Sequence, residues 1–154
     1  MESLFPKLMQ LLEQRDDCLD FIAFKNLIGE PTAIHSIEDN TYYRFDQFGC
    51  SAVYEEKRKK FWMIGIEYST VPVKLGAVQA FKGTSYAGIK NSDTCKTVEE
   101  KLGVKAASNA SFKNMSRSKY NVGPYLFDCI FEGTDGPLQG LTVYLQDAPP
   151  QTRE

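Results

Sequence analysis

A similarity between the two halves of this 154-residue chain constrains its fold more than any other feature. The matching positions are apolar or glycine, keep the same order and lie 74 or 75 residues apart: Phe21 with Cys95, Phe24 with Val98, Ile28-Gly29 with Leu102-Gly103, Phe48-Gly49 with Val122-Gly123, and Gly65-Ile66 with Gly140-Leu141. Five ordered matches favour an internal repeat that covers nearly the whole chain. The alternative is that two unrelated α+β segments follow one another.

Local patterns in the first half predict helices followed by strands. Leucines at helical spacing predict a first helix over 4–14, and a broad apolar face predicts a second over 18–28. Asp16 or Asp17 is a candidate cap for the second helix, which Gly29 suits as an end. Alternating apolar residues then predict a short antiparallel meander, with strands at 41–46, 50–55 and 61–68.

The second half repeats this order. Polar residues at 91–93 predict the start of a helix whose apolar face contains Cys95, Val98 and Leu102, and Gly103 ends it. Strand-like segments follow, with turn residues at 133–137 between the last two of them. These segments lie at 119–122, 125–132 and 138–146.

These patterns predict an α+β fold made of two tandem helix-plus-meander units, one over 1–76 and one over 77–154. A single unit of about 75 residues buries little apolar surface, because one helix on three or four strands makes a small core. Two units side by side can share one core and form one continuous antiparallel sheet. We expect the helices to cover one face of that sheet and to leave the other face open.

The residue types that most enzymes and metal sites need are scarce. The chain has one histidine, His35, and its four cysteines are widely separated without a C-x-x-C motif. Adjacent acidic residues point in different directions on a strand or helix, so none forms a ready catalytic pair. We therefore predict no enzyme activity, no metal and no cofactor. A small enzyme built around His35, Glu38 and Asp39 is kept as an alternative.

The N-terminal segment predicts a cytoplasmic protein. Its apolar residues recur at helical spacing and are separated by charged and polar ones, whereas a secretion signal would have a continuous apolar stretch. No apolar run in the chain approaches the roughly 20 residues that a membrane-spanning helix needs. In the cytoplasm the four cysteines are expected to be small buried side chains without disulfides.

The alternation of the strands predicts a protein-binding surface. Tyr43 and Phe45 are expected to face the helices, which leaves their strand neighbours on the open face. Tyrosine, methionine, arginine and acidic groups on a rigid sheet suit a protein partner. The predicted contact residues are Tyr42, Arg44, Asp46, Glu55, Met63, Glu67 and Tyr144.

A basic run offers a different function. Lys57-Arg58-Lys59-Lys60 precedes Phe61 and Trp62, and such a loop could bind the phosphates of a nucleic acid while Trp62 and Tyr68 stack on bases. Acidic residues precede the run, which is more typical of a solvated hairpin turn. A nucleic-acid-binding module is therefore kept as the alternative to protein binding.

The segment 88–103 resembles the helix signature of beta-lactamase-inhibitor-protein-like folds and of small outer-membrane assembly lipoproteins. A glycine and a polar cap precede a helix that carries Val98 and ends in Leu102-Gly103. The tandem arrangement resembles the inhibitor protein, which implies a saddle-shaped sheet that binds another protein.

From that binding mode we predict a bacterial immunity protein that neutralises a cognate toxin of a contact-dependent inhibition or secretion system. The toxin is expected to be an intracellular nuclease with a basic surface. The first 76 residues are acidic, with a formal charge of about −3, and would complement that surface. Neither a membrane nor a small-molecule cofactor is expected as a partner.

Overall fold

A computed structural model describes residues 4–74 and 76–146 of the chain. It has three helices in these ranges, α1 (Phe5–Met9), α2 (Leu19–Ile28) and α3 (Cys95–Leu102), and a short 3₁₀ turn at Tyr86–Gly88. The strands are β1 (Ala33–Ile37), β2 (Asn40–Phe45), β3 (Cys50–Glu55), β4 (Lys60–Glu67), β5 (Val71–Val73), β6 (Gly76–Val78), β7 (Ser108–Phe112), β8 (Met115–Val122), β9 (Tyr125–Glu132) and β10 (Leu138–Leu145).

Eight of these strands form one antiparallel sheet in the order β1-β2-β3-β4-β10-β9-β8-β7. Each group of four consecutive strands is a meander, and the two meanders meet where β4 pairs with β10, with Ile66 opposite Leu141. β5 and β6 pair only with each other, as a separate hairpin. An α+β fold with a large antiparallel sheet is therefore confirmed.

The helices cover one face of the sheet, and the alternation of β2 is as the sequence predicts. The ring of Tyr43 lies 5.1 Å from that of Phe21, and the ring of Phe45 lies 5.3 Å from that of Phe24. Both contacts are between β2 and α2, and both phenylalanines of the helix are buried. The core of the first half is thus built on aromatic edge-to-face packing.

Helix α1 is shorter than the sequence predicts, because the chain after it joins the sheet. The backbone N–H of Glu13 donates to the carbonyl of Phe61 at 2.8 Å, and the N–H of Phe61 donates to the carbonyl of Gln14 at 2.8 Å. Residues that satisfy their backbone groups on β4 cannot continue a helix. The leucines at helical spacing are buried nonetheless, at positions 4, 8, 11 and 12.

The caps of the two longer helices differ from the predicted ones. The sulfur of Cys18, rather than Asp16 or Asp17, accepts the N–H of Phe21 at the start of α2. Thr94 starts α3 in a reciprocal capping box with Thr97, directly after the predicted polar cap. Gly103 ends α3 in the left-handed conformation at φ 71°, which glycine adopts without strain.

Strands β1, β5, β6 and β7 are not predicted by the local sequence patterns. β1 and β7 are the two edges of the large sheet, and most of their side chains are exposed, so neither shows the alternation of a half-buried strand. His35 lies on β1, opposite Tyr42. None of the helices in the described ranges has the length and apolar character needed to cross a bilayer.

Candidate functional site

The sheet face opposite the helices, called the outer face below, carries a row of apolar side chains. The row runs across five neighbouring strands in register, through Tyr42, Val53, Met63, Tyr144 and Leu126. Val53, the second member, is buried, and the other four side chains are half-buried. This apolar row places four partly exposed apolar side chains on a rigid backbone.

A bulge brings Trp62 to the same face. The β3–β4 register shifts between Val53 and Tyr54, which leaves Trp62 without an opposite residue. Its indole N–H donates to Oδ1 of Asn40 at 2.9 Å, and its ring packs edge-on against Tyr144 with a centroid distance of 6.3 Å. Trp62 is buried and lies beside Tyr144 of the apolar row.

The buried state of Trp62 corrects the nucleic-acid hypothesis. Trp62 and Tyr68 were expected to stack on bases, but both are about 95% buried, and the hydroxyl of Tyr68 donates to the carbonyl of Ile89 at 3.2 Å. Base stacking needs an exposed ring face. The basic run forms the turn between β3 and β4, and within it Arg58 is bonded to Glu55. The alternative has therefore lost both of its stacking rings.

Two predicted contact residues are buried ion-pair partners. Nε of Arg44 donates to Oδ1 of Asp46 at 2.6 Å, and Nη2 donates to Oδ2 at 3.2 Å. Nε of Arg58 donates to Oε1 of Glu55 across the β3–β4 turn. Both carboxylates were expected to be exposed to a partner, but buried acids are stable only when they are paired, and each lies next to an arginine of its own chain.

A third pair lies on the second half of the outer face and was missed. Arg117 on β8 donates to Asp128 on β9 at 2.8 Å, and Asp128 is buried. The hydrogen bond to Asp128 raises the pKa of the Arg117 guanidinium. Alternation along β8 and β9 is the signal that could have located this pair. Residues an even number of positions apart on a strand lie on the same face, and Arg117 and Asp128 both belong to the outer-face set of their strands.

The β5–β6 hairpin covers one end of the outer face and borders a partly open cavity of about 480 Å³. Val71, Val73 and Val78 of the hairpin form one wall, and Ile130 and Met115 of the second half form another. Two backbone hydrogen bonds join the segment after the hairpin to the ends of two strands. The N–H of Gln79 donates to the carbonyl of Asp46, and the N–H of Phe81 donates to the carbonyl of Glu67. The outer face is thus not open along its whole length.

The floor of the cavity is more polar than its walls. Arg44, Ser51, Glu67 and Thr142 contribute polar groups, and two glycines of the central strands leave space between them. A methyl group at Gly140 would lie 3.3 Å from Oε2 of Glu67, so this carboxylate sits directly over the glycine. Burial in the surrounding protein raises the pKa of Glu67, although solvent still reaches the side chain.

The predicted contact residues therefore lie in three places, two of which share Met63. Arg44, Met63 and Glu67 line the cavity. Tyr42, Met63 and Tyr144 lie in the apolar row, and the other two are the buried acids already described. The hairpin and the outer-face residues of β8 and β9 are missing from the prediction. Neither the hairpin nor its position over the sheet has a signal in the local sequence.

The predicted acid–histidine cluster lies at one edge of the large sheet. His35 lies on the exposed edge strand β1, and Glu38 and Asp39 form the turn after it. Across the described residues, no three side chains of His, Cys, Asp and Glu are placed to hold a metal ion. All four cysteines are free, and burial raises the pKa of Cys50 to about 12.

Comparison with known proteins finds solved structures that are similar to this chain in fold. No protein-family model and no curated protein matches the chain. A solved extracellular protein from Bacillus anthracis that contains an SCP domain is similar over 99% of this chain and 54% of its own, with a TM-score of 0.59 and 11% identity. A DUF4309 family protein from Bacillus subtilis (YjgB) is similar over 94% of both chains, with a TM-score of 0.51 and 12% identity.

A cysteine-rich secretory protein from Staphylococcus aureus is similar over 90% of this chain and 46% of its own, with a TM-score of 0.50 and 8% identity. The chain therefore spans about half the length of two of these three structures. At such low identities the similarity shows the fold alone.

Proposed function

We propose that this protein is a non-catalytic binding protein that holds a partner protein against the outer face of its sheet. The apolar row is the observation that carries this proposal. Tyr42, Met63 and Tyr144 are partly exposed and in register on strands whose backbones are already paired, so binding orders few additional groups. Tyrosine and methionine are enriched at the centres of protein interfaces.

The partner in this proposal is a cognate bacterial toxin, and the protein is its immunity protein. Two sequence features support the toxin: the resemblance to an inhibitor-like helix signature, and the acidic character of the first 76 residues. A nuclease domain is the favoured toxin class, because a surface that binds polyanionic substrate is basic and complements an acidic protein. The proposal needs no cofactor and no membrane.

The tandem arrangement is also a proposal, namely that the two meanders are copies of one unit. It is supported by the sequence offset, since Ile66 and Leu141 are matched positions in the two halves. The same two residues are opposite each other in the central β4–β10 pair. Two copies related by a two-fold axis would pair equivalent residues at that axis.

The experiment is a binding assay with the toxin domain encoded by the gene next to this one. Isothermal titration calorimetry is expected to show a one-to-one complex, and the protein is expected to suppress the toxicity of the domain when both are expressed together. Absence of a complex and of protection would exclude the toxin as partner. Cell fractionation tests the compartment, for which we propose the cytoplasm.

Variants locate the surface. Tyr42→Lys and Leu126→Lys place a charge at each end of the apolar row, and each is expected to weaken the complex at least tenfold. Leu27→Lys is the matched control, because Leu27 is 56% exposed on α2, which packs on the opposite face. Loss of binding in the Leu27 variant, with the row variants unchanged, would move the interface to the helices.

A further inference from the structure

We propose that the cavity under the β5–β6 hairpin binds a cationic group on an aliphatic stem, an alkylammonium or alkylguanidinium, with Glu67 as its counter-ion. This site lies beside the apolar row and does not depend on a partner binding there. Its support comes from the size of the cavity, from the balance of charge among its lining residues and from the position of the Glu67 carboxylate.

The size and walls of the cavity suit a small ligand with an apolar stem. Its volume of about 480 Å³ lies within the range of roughly 300–1,000 Å³ typical of small-molecule sites. The side chains of Val71, Val73, Val78 and Ile130 surround the space on two sides. An alkyl chain of five or six carbons buried against them would be stabilised by the removal of its methylenes from water.

The charges that line the cavity leave one carboxylate unpaired. Arg44 and Glu67 are the charged residues among the described lining positions. The guanidinium of Arg44 is bonded to both carboxylate oxygens of Asp46, so this pair is neutral. Within the described part of the chain, Glu67 has no side-chain hydrogen bond or ion pair. A cation in the cavity would therefore meet a single uncompensated negative charge.

The position of Glu67 makes that charge available to a ligand. Its Oε2 atom lies over Gly140, at 3.3 Å from the position that a methyl group would take there. Because burial raises the pKa of Glu67, the ionised carboxylate lacks part of the stabilisation it would have in water. A bound cation restores that stabilisation through a charge-assisted hydrogen bond.

Two hydroxyls supply further acceptors over the other glycine of the cavity floor, Gly65. A methyl group at Gly65 would lie 3.0 Å from Oγ of Ser51 and 3.9 Å from Oγ1 of Thr142, so both hydroxyls converge on the space above this glycine. Each can accept an N–H, and an ammonium or guanidinium group has three or more to donate. Glu67 and the two hydroxyls together match the hydrogen-bonding needs of such a group.

The test is an NMR titration of the full chain with three six-carbon probes that differ only in the head group. Hexylamine is expected to shift the amide resonances of the cavity residues, whereas 1-hexanol binds at least tenfold more weakly and hexanoate does not bind. Equal affinity for all three would show an unspecific apolar pocket. Tighter binding of hexanoate would show that Arg44 rather than Glu67 governs the site. Either result overturns the proposal.

Substitutions assign the counter-ion. Glu67→Gln keeps the shape of the side chain, removes its charge and is expected to weaken hexylamine binding at least tenfold. Glu100→Gln is the matched control, since Glu100 is exposed on α3 at the opposite face and its replacement is expected to leave affinity unchanged. Thr142→Phe fills the cavity and is expected to abolish binding. Unchanged affinity in Glu67→Gln contradicts the assignment.

A last titration distinguishes an arginine side chain of a protein from a free small molecule as the ligand. The peptide acetyl-Val-Arg-Val-amide presents the same cationic stem on a polypeptide, and pentylguanidine presents it alone. Tighter binding of the peptide assigns the cation to an arginine of a protein, and tighter binding of pentylguanidine assigns it to a free small molecule. Failure of both overturns the site. Variants of Tyr42 and Leu126 are expected to leave all these affinities unchanged, because neither residue lines the cavity.

Discussion

The two halves of the sheet have the same strand arrangement but hold their helices differently. In the first half, β1–β4, the helix α2 packs through aromatic rings. Phe61 is the centre of this cluster, fully buried, with its ring 4.9–5.9 Å from those of Phe21, Tyr43 and Tyr54. Removal of apolar area from water is the principal stabilising contribution here.

In the second half, β7–β10, the helix α3 buries one fully enclosed apolar side chain, Val98, and is fixed by polar contacts. Nζ of Lys101 donates to both oxygens of Asp93 at 3.0 and 2.7 Å, and the backbone N–H of Leu138 donates to the carbonyl of Asp93 at 2.8 Å. A four-stranded meander can therefore hold a helix either by burying aromatic rings or by hydrogen bonds around one buried acid.

Truncation of one core residue in each half should give the largest difference. Phe61→Ala is expected to lower the free energy of unfolding by about 3–5 kcal/mol, because a buried ring leaves a large cavity. Val98→Ala removes two methyl groups and is expected to cost about 2 kcal/mol. Urea denaturation of both variants measures this. An equal or larger loss in Val98→Ala would contradict the contrast between the halves.

Replacement of the buried acid Asp93 should lower the free energy of unfolding by less than the replacement of Phe61 does. Asp93→Asn is expected to lower the free energy of unfolding by about 2–3 kcal/mol at pH 7, since hydrogen bonds to a charged group are lost. Asp17→Asn, in an exposed pair with Arg15, is the control and is expected to cost close to nothing.

The effect of Asp93→Asn should depend on pH with a definite sign. Burial alone would raise the pKa of Asp93, but hydrogen bonds from Lys101, from the backbone of Lys90 and from Thr97 outweigh it and lower the pKa below 3.8. The stabilisation is complete above the ordinary pKa and is lost as the pH falls through the folded-state pKa. The difference between wild type and variant should therefore shrink in acid. A constant difference would mean that the charge is not involved.

The helix caps should give a smaller contrast of the same kind. Thr94→Ala breaks the capping box of α3 and is expected to cost about 1 kcal/mol. The sulfur of Cys18 is a weak acceptor at the start of α2, so Cys18→Ser is expected to stabilise the protein by a few tenths of a kcal/mol. Thermal unfolding of the two variants measures the predicted loss of stability in Thr94→Ala and the predicted gain in Cys18→Ser. Destabilisation by Cys18→Ser would show that the thiol contributes by packing.

Elements with a strong local period were predictable from the sequence. β3 and β9 have the predicted bounds, and the helix α2 begins one residue after its predicted start. The edge strands β1 and β7 were missed because polar, exposed residues show no alternation. Helix α1 was predicted too long, since a long-range backbone pairing with Phe61 ends it and no local pattern records such a contact.

The candidate site was predictable only where it depends on alternation. The outer-face positions of Tyr42, Met63 and Tyr144 follow from the period of their strands. The burial of Asp46 and Glu55 depends on which arginine lies nearby in space, and the cavity depends on the position of the β5–β6 hairpin. Tertiary contacts of this kind are not encoded in the spacing of one strand.

The smallest expected effect is the change in stability on replacing Glu67, and Thr142 provides the comparison. These two residues occupy matching places on the two central strands, β4 and β10. Glu67 is opposite Gly140, and Thr142 is opposite Gly65. Because the pKa of Glu67 is raised above its usual 4.5, the folded state holds this proton to higher pH than the unfolded state. Raising the pH through that interval therefore lowers stability. Glu67→Gln removes this loss and should stabilise the protein at pH 7 by less than about 1 kcal/mol, since solvent screens the charge.

That gain should disappear near pH 3, where the carboxyl is protonated in both the folded and the unfolded state. Thr142→Val, which changes no charge, should show a stability difference that does not vary between pH 3 and 7. Urea denaturation at several pH values measures both variants. Destabilisation by Glu67→Gln at pH 7 would mean that the carboxylate already has a favourable partner in the folded chain, and the cavity would then have no uncompensated charge to offer a cation.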